Sequence, residues 1–231
     1  MTIEEKIAFW RHVMQYAYDR GIKFHIVTWN IHVWGADGKH GITESLESST
    51  TKAYFRESVR QLINTYPLLA GLGVTAGENM QKKSPDEKER WLFETYGQGI
   101  LDALKDNPER KIEFHHRHWW TEIRDILGHF QPVIDAGVRF DFSFKNSVAH
   151  MYSYHDPDIA DPVFNELPPG YRMYNDLRNN DIYQMRWGDP DYARDYITHL
   201  HGKDKSPGLF IGSDGFLFAR ETVYKLSLIH I

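Results

Sequence analysis

Residues Leu68–Asn79 read LLAGLGVTAGEN, residues 84–87 read Ser-Pro-Asp-Glu, and residues 111–118 read KIEFHHRH. The first is a short apolar run bounded by turn residues, which predicts a buried strand. The second predicts a helix start, with Ser84 as N-cap, Pro85 at the first helical position and Glu87 closing a capping box. Leu92, Tyr96, Ile100 and Ala103 then recur on one helical face. The third segment is again a strand. Strand, helix, strand within about fifty residues is a crossover unit, and its two strands must run parallel.

The same alternation extends both ways. Upstream, Ile3, Ile7, Trp10, Met14 and Ala17 predict a helix ended by Gly21, and IKFHIVTWN (22–30) predicts a strand. A polar loop from Gly35 to Thr43 leads to a helix striped by Phe55, Val59, Leu62 and Tyr66 and stopped by Pro67. Downstream, Ile123, Leu127, Phe130 and Ile134 mark a helix ended by Gly137, and VRFDFSFKN (138–146) a strand. Residues 156–170 are rich in Pro and Asp and predict a loop with one short helical turn. IYQMRW (182–187) is the expected fifth strand. Asp189-Pro190 opens a helix carrying Ala193, Tyr196, Ile197 and Leu200, and GLFIGS (208–213) is the sixth strand.

Two parallel α/β architectures fit this order, a doubly wound open sheet and a (β/α)8 TIM barrel. No G-x-G-x-x-G or G-x-x-x-x-G-K-[ST] follows any strand, so the nucleotide-binding open sheet lacks its signature. Polar and aromatic residues crowd the C-terminal strand ends instead, where barrels build their sites. The expectation is therefore an incomplete TIM barrel, about six βα units of eight, over residues 1–226. The closing LSLIHI (226–231) resembles a translated sequencing-adapter remnant of a metagenomic read. Residues 227–231 are accordingly expected to be a non-native tail on a fragment.

Composition narrows the function. Twenty-seven basic against 32 acidic residues give a net charge of −5 and a pI near 6.2, which argues against a nucleic-acid or anionic-membrane partner. The absence of cysteine excludes disulfides, thiolate metal sites and cysteine nucleophiles. No apolar run approaches the roughly 20 residues of a membrane span. The first ten residues lack a basic segment followed by an apolar one, so a periplasmic or extracellular location would need a signal further upstream. No cofactor is expected. Seven Trp and 13 His suit a polyhydroxylated ligand, although aromatics also fill cores.

Several strand-end residues could carry chemistry. Glu78 sits in GVTAGENM, a small-residue segment with no other charge. Partial desolvation there would raise its pKa and suit a proton donor, whereas a loop or capping Glu is the plain structural reading. Asp189 reads either as a helix cap or as a second carboxylate, and Asp214 before Gly215 either as a turn residue or as that carboxylate. Asp141 lies within its strand and could pair with Arg139 or Lys145. Trp29, Trp34 and Trp187 could stack on sugar rings, while Trp119 and Trp120 are expected to start a helix and pack. Asn30 and Asn79 complete the strand ends. His116 and His118 share one strand face, a pattern that metal-dependent hydrolases use, but His116 reads better as a hydrogen-bond donor to a sugar hydroxyl.

From Leu68 onward the chain resembles the α-glucuronidase-type barrel glycosidases. The resemblance rests on TAGENM around Glu78, on HHRHWW with Arg117, and on FSFKNS with Lys145 and Asn146. It implies that the strand ending in Glu78 is the fourth of the barrel, with Glu78 as general acid. It also implies that Arg117 and Lys145 hold an acidic sugar's carboxylate. The chain departs from the pattern in having His150 where the family has its base, and Gln184, Met185 and Arg186 where it has a later Glu. The expected function is thus a glycoside hydrolase on an oligo- or polysaccharide, uronic or sulfated. The alternatives are a metal-dependent barrel hydrolase and a non-catalytic carbohydrate-binding barrel.

Overall fold

The computed structural model describes residues 1–33, 35–77, 80, 82–145, 160–179, 191, 194, 195, 198 and 209–213. The chain divides into two compact units, residues 1–141 and 142–231.

The first unit runs α1 (Ile3–Tyr18), β1 (Phe24–Val27), α2 (Ser49–Thr65), β2 (Leu69–Thr75), α3 (Pro85–Leu92), a π-helical turn (Phe93–Gly97), α4 (Gln98–Asp106), β3 (Glu113–His118) and α5 (Ile123–Asp135). The first residues of β4 (Arg139–Lys145) close it. β1, β2 and β3 pair in parallel in chain order, with His25 opposite Gly71 and Gly71 opposite Glu113. The helix start at Ser84 is as the sequence predicts. Ser84 Oγ accepts from Glu87 N, the Glu87 carboxylate returns the bond to the Ser84 backbone, and Pro85 occupies the first turn. Those bonds hold the Glu87 carboxyl down at about 2.

Alternation along the strands separates two faces. One face carries Leu72, Val74, Phe114 and His116 and is buried against helices. Phe114 stacks on Phe130 of α5 at 5.2 Å, and Phe140 joins the same cluster. The other face carries His25, Val27, Gly71, Gly73, Thr75, Glu113, His115 and Arg117.

The helix faces shift slightly from the sequence expectation. In α5 the buried set is Ile123, Ile126, Phe130 and Val133 rather than Leu127 and Ile134. In α2 Ile63 is buried, three turns on from Thr51. α1 buries only Met14 and Ala17, and Trp10 stays largely exposed against Phe24.

In the second unit, β4 pairs with β5 (Met173–Asn179), which pairs with β6 (Leu209–Ser213), all parallel. A short helix α6 (Ala160–Glu166) occupies the Pro- and Asp-rich stretch, in keeping with the expected helical turn. The fifth strand is a correction: it is Met173–Asn179 and not IYQMRW, which falls outside the described residues. Its residues MYNDLRN lack an apolar run, so the strand gives no hydrophobic signal.

Candidate functional site

The C-terminal ends of β1, β2 and β3 are drawn together by side chains that bond backbone. Asn30, 1% exposed, donates from Nδ2 to the Thr75 carbonyl at 3.1 Å and accepts from Ile31 N at 2.6 Å. Its amide therefore ties the end of β1 to the end of β2. Tyr96 Oη donates to the carbonyls of Trp29 and Asn30 at 2.9 and 3.0 Å. Burial pushes that phenol above its ordinary range, so it stays a donor. Tyr96 sits in the π turn, a local widening that often marks a functional region. Above these fixed carbonyls the Trp29 ring is half exposed and tilts against His32 at 5.5 Å.

The ends of β2 and β3 interlock through a glycine. Gly77 has φ +115°, and a Cβ there would lie 2.5 Å from Trp119 Cδ1. Only glycine tolerates both the dihedral and the contact. Trp119 stacks on Trp120 at 5.5 Å and 15°, and the Arg117 guanidinium carbon lies 5.1 Å from the Trp119 ring centre. This is a cation–π arrangement at the end of β3, in register with Thr75 of β2. The expectation that Trp119 and Trp120 begin a helix is corrected. Both lie in the loop before α5, and Trp120, half exposed, adopts φ +53°.

That loop is clamped from the helix layer. Lys88 and Glu89 of α3 are both buried. Lys88 Nζ donates to the Trp120 carbonyl at 2.8 Å, which satisfies an ammonium whose pKa burial lowers. Glu89, with no exposed surface, accepts from Thr121 Oγ1 at 2.5 Å and meets His116 Nε2 at 2.7 Å. A buried carboxylate without such partners would cost several kcal/mol. His118, on the same strand, is driven down to about 4 by burial, with His116 nearby as a second cause.

These positions sort the sequence candidates. Trp29 and Asn30 follow the end of β1, and Arg117 lies at the end of β3. His116 lies on the helix side of the sheet, fully enclosed and committed to Glu89. That geometry does not match a direct contact with a sugar hydroxyl, and it corrects the sugar-contact expectation. Asp141 pairs with Arg139 at 3.0 Å, one of the two partners expected for it. Lys145 is the last residue of β4, in register with Asp176 of β5; its side chain is outside the described set. Glu78, Asn79, Trp34, Trp187, Asp189 and Asp214 also lie outside the described residues, as do His150 and Gln184. Sequence reasoning missed Lys88, Glu89, Tyr96 and Thr121. Charged residues early in a helix read as a solvated face, and no pattern marks one as buried.

With this geometry in view, two solved structures are informative. A GH138 enzyme targeting pectin rhamnogalacturonan II superposes with a TM-score of 0.68 at 19% identity, over 87% of this chain and 30% of its own. The GH53 catalytic domain of Ignisphaera aggregans gives a TM-score of 0.50 at 16% identity, over 89% of this chain and 66% of its own. The fold is a parallel α/β, barrel-like one. The chain spans less than two thirds of the length of either structure. No protein family and no curated protein matches the sequence.

Proposed function

We propose that residues 1–226 are part of the catalytic barrel of a glycoside hydrolase, with Glu78 as the general acid. The observation that carries this reading is the interlock of Gly77 with Trp119. It fixes the chain at the end of β2 in a glycine-only conformation, one residue before Glu78, beside the part-buried Trp119, the half-exposed Trp120 and the Arg117 cation. A carboxyl there can protonate a leaving oxygen while aromatic faces hold the sugar. The two glycoside hydrolase neighbours support the reading at the level of fold.

In this assignment Trp29, Trp34 and Trp187 stack on sugar rings, and Asn30 and Asn79 set the rim. Arg117 and Lys145 receive an acidic group of a uronic or sulfated glycan, because guanidinium grips carboxylate and sulfate with paired bonds. Asp189 or Asp214 supplies the second carboxylate. His116 acts only through Glu89, as a positioning residue for the loop that carries Trp119. A metal-dependent hydrolysis built on His116 and His118 finds no support in the enclosed position of His116.

Glu78→Gln tests the reading. General acids contribute on the order of 10² to 10⁴ in rate. The variant should lose that factor on natural glycans, lose far less on activated aryl glycosides, and retain substrate binding. Unchanged turnover on natural glycans would reduce Glu78 to a loop or capping residue. Glycan binding without any hydrolysis by the unaltered chain would favour a non-catalytic carbohydrate-binding barrel.

A further inference from the structure

A second cluster lies on the non-helical face of the first sheet, toward the N-terminal ends of the strands. His25 comes from β1, Glu113 and His115 from β3, and β2 between them presents Gly71 and Gly73. A Cβ at Gly71 would stand 2.2 Å from His25 Cδ2 and 2.7 Å from its Nε2. Glycine at this position therefore lets the imidazole lie across β2. His25 Nε2 then reaches Glu113 Oε2 at 3.0 Å, and the His25 and His115 ring centres are 4.9 Å apart and nearly perpendicular. One donor atom from each of the three residues falls within 4.8 Å of the other two.

We propose that His25, Glu113 and His115 bind a divalent late first-row metal ion, zinc by its donor set, which cross-links β1 to β3 over the glycines of β2. Two imidazoles and one carboxylate are a recurrent zinc set, with water completing the shell. Donors around a tetrahedral zinc are about 3.4 Å apart, from metal–ligand distances of about 2.1 Å. The present spacings, 3.0 Å between His25 and Glu113 and up to 4.8 Å across the set, bracket that value.

The side chains of His25 and Glu113 remain 22% and 17% exposed, which gives an ion a way in. The cations facing this cluster set its limits. Lys23 and Arg139 both approach Glu113 Oε1, with Arg139 at 3.6 Å, and Arg139 is shared with Asp141. Oε2, the oxygen turned to His25, is the one a metal takes. The cluster uses no residue of the strand-end site; its nearest ligand, His115, stands two residues from Arg117 along β3, about 7 Å, so the proposal does not rest on the glycosidase reading.

The test uses the chelator-stripped chain, titrated with Zn2+ by calorimetry and with Co2+ by visible absorption. One equivalent should bind, with a visible cobalt band of low coordination number that zinc abolishes. The thermal midpoint should rise by about 5 to 10 °C at a hundredfold excess over Kd. His25→Gln, Glu113→Gln and His115→Gln should each weaken zinc at least tenfold, whereas the exposed His12→Gln should not. Equal zinc affinity in the unaltered chain and in His25→Gln/His115→Gln, with folding verified by circular dichroism, would overturn the proposal. If those substitutions unfold the chain, the cobalt spectrum of the unaltered protein decides instead. No visible band means no such site.

Discussion

Replacing Gly77 by alanine attacks the candidate site through one methyl group. Two costs can be read from the geometry. The residue sits at φ +115°, a region costing a side chain on the order of 1–3 kcal/mol. The new Cβ would also stand 2.5 Å from Trp119 Cδ1, well inside the ordinary contact distance. Relieving such overlap in a packed site costs about 1–3 kcal/mol. Alanine returns about 0.4–1 kcal/mol by restricting the unfolded chain. The net loss is about 1–6 kcal/mol, on the order of 10 °C in Tm for a chain of this size.

Gly128→Ala is the matched control. It lies exposed in α5 with nothing within 4 Å of its added methyl, and should stabilise by about 0.5–1 kcal/mol. Urea unfolding followed by tryptophan fluorescence reads both variants. Displacing Trp119 should also cut glycan turnover by about 10²-fold, the scale of a 1 Å misplacement near reacting groups. Equal denaturant midpoints for Gly77→Ala and Gly128→Ala would refute the interlock and the site built on it.

Arg117→Ala and Lys145→Ala should each weaken binding of uronic or sulfated oligosaccharides about tenfold or more and leave neutral ones unchanged, measured by calorimetry on both series. His118 is held neutral, down at about 4, so the unfolded chain binds more protons than the folded one below about 6.5. Stability should therefore fall as pH drops from 6.5 to 4, and His118→Gln should flatten that limb of the denaturation profile. Thr121→Val removes one hydrogen bond from the enclosed Glu89 and should cost about 1–3 kcal/mol, read as a shifted urea midpoint with unchanged slope.

The alternation of strands and helices was legible because each element announces itself locally. Ser84-Pro85-Asp86-Glu87 encodes its own cap, and KIEFHHRH its own strand. β5 was not legible, since Asn175, Asp176, Arg178 and Asn179 have poor intrinsic strand preference and pair only because β4 and β6 flank them. The strand-end residues Trp29, Asn30 and Arg117 could be picked out from their positions after apolar runs. The fate of His116 could not, because its neighbours Glu89 and Thr121 arrive from 27 residues upstream and from the following loop. Parity alone does not say which strand face meets the helices. The His25, Glu113 and His115 grouping is likewise a product of register across a glycine strand.

The π turn at Phe93–Gly97 holds one residue more than an α-helix would spend there. Deleting a single residue from it would give an uninterrupted helix without changing any other sequence. Everything beyond the deletion would then turn by about 100° relative to α3. Ile100 and Ala103, both fully buried, would swing out of the core, and the Tyr96 hydroxyl would leave the carbonyls of Trp29 and Asn30. The extra residue thus acts as a phase offset. It lets a single helical rod present one azimuth to the Trp120 loop through Lys88 and Glu89 and another to the end of β1. Length polymorphism inside this turn should be far less tolerated than in the Gly35–Thr43 loop, where an added residue rotates nothing.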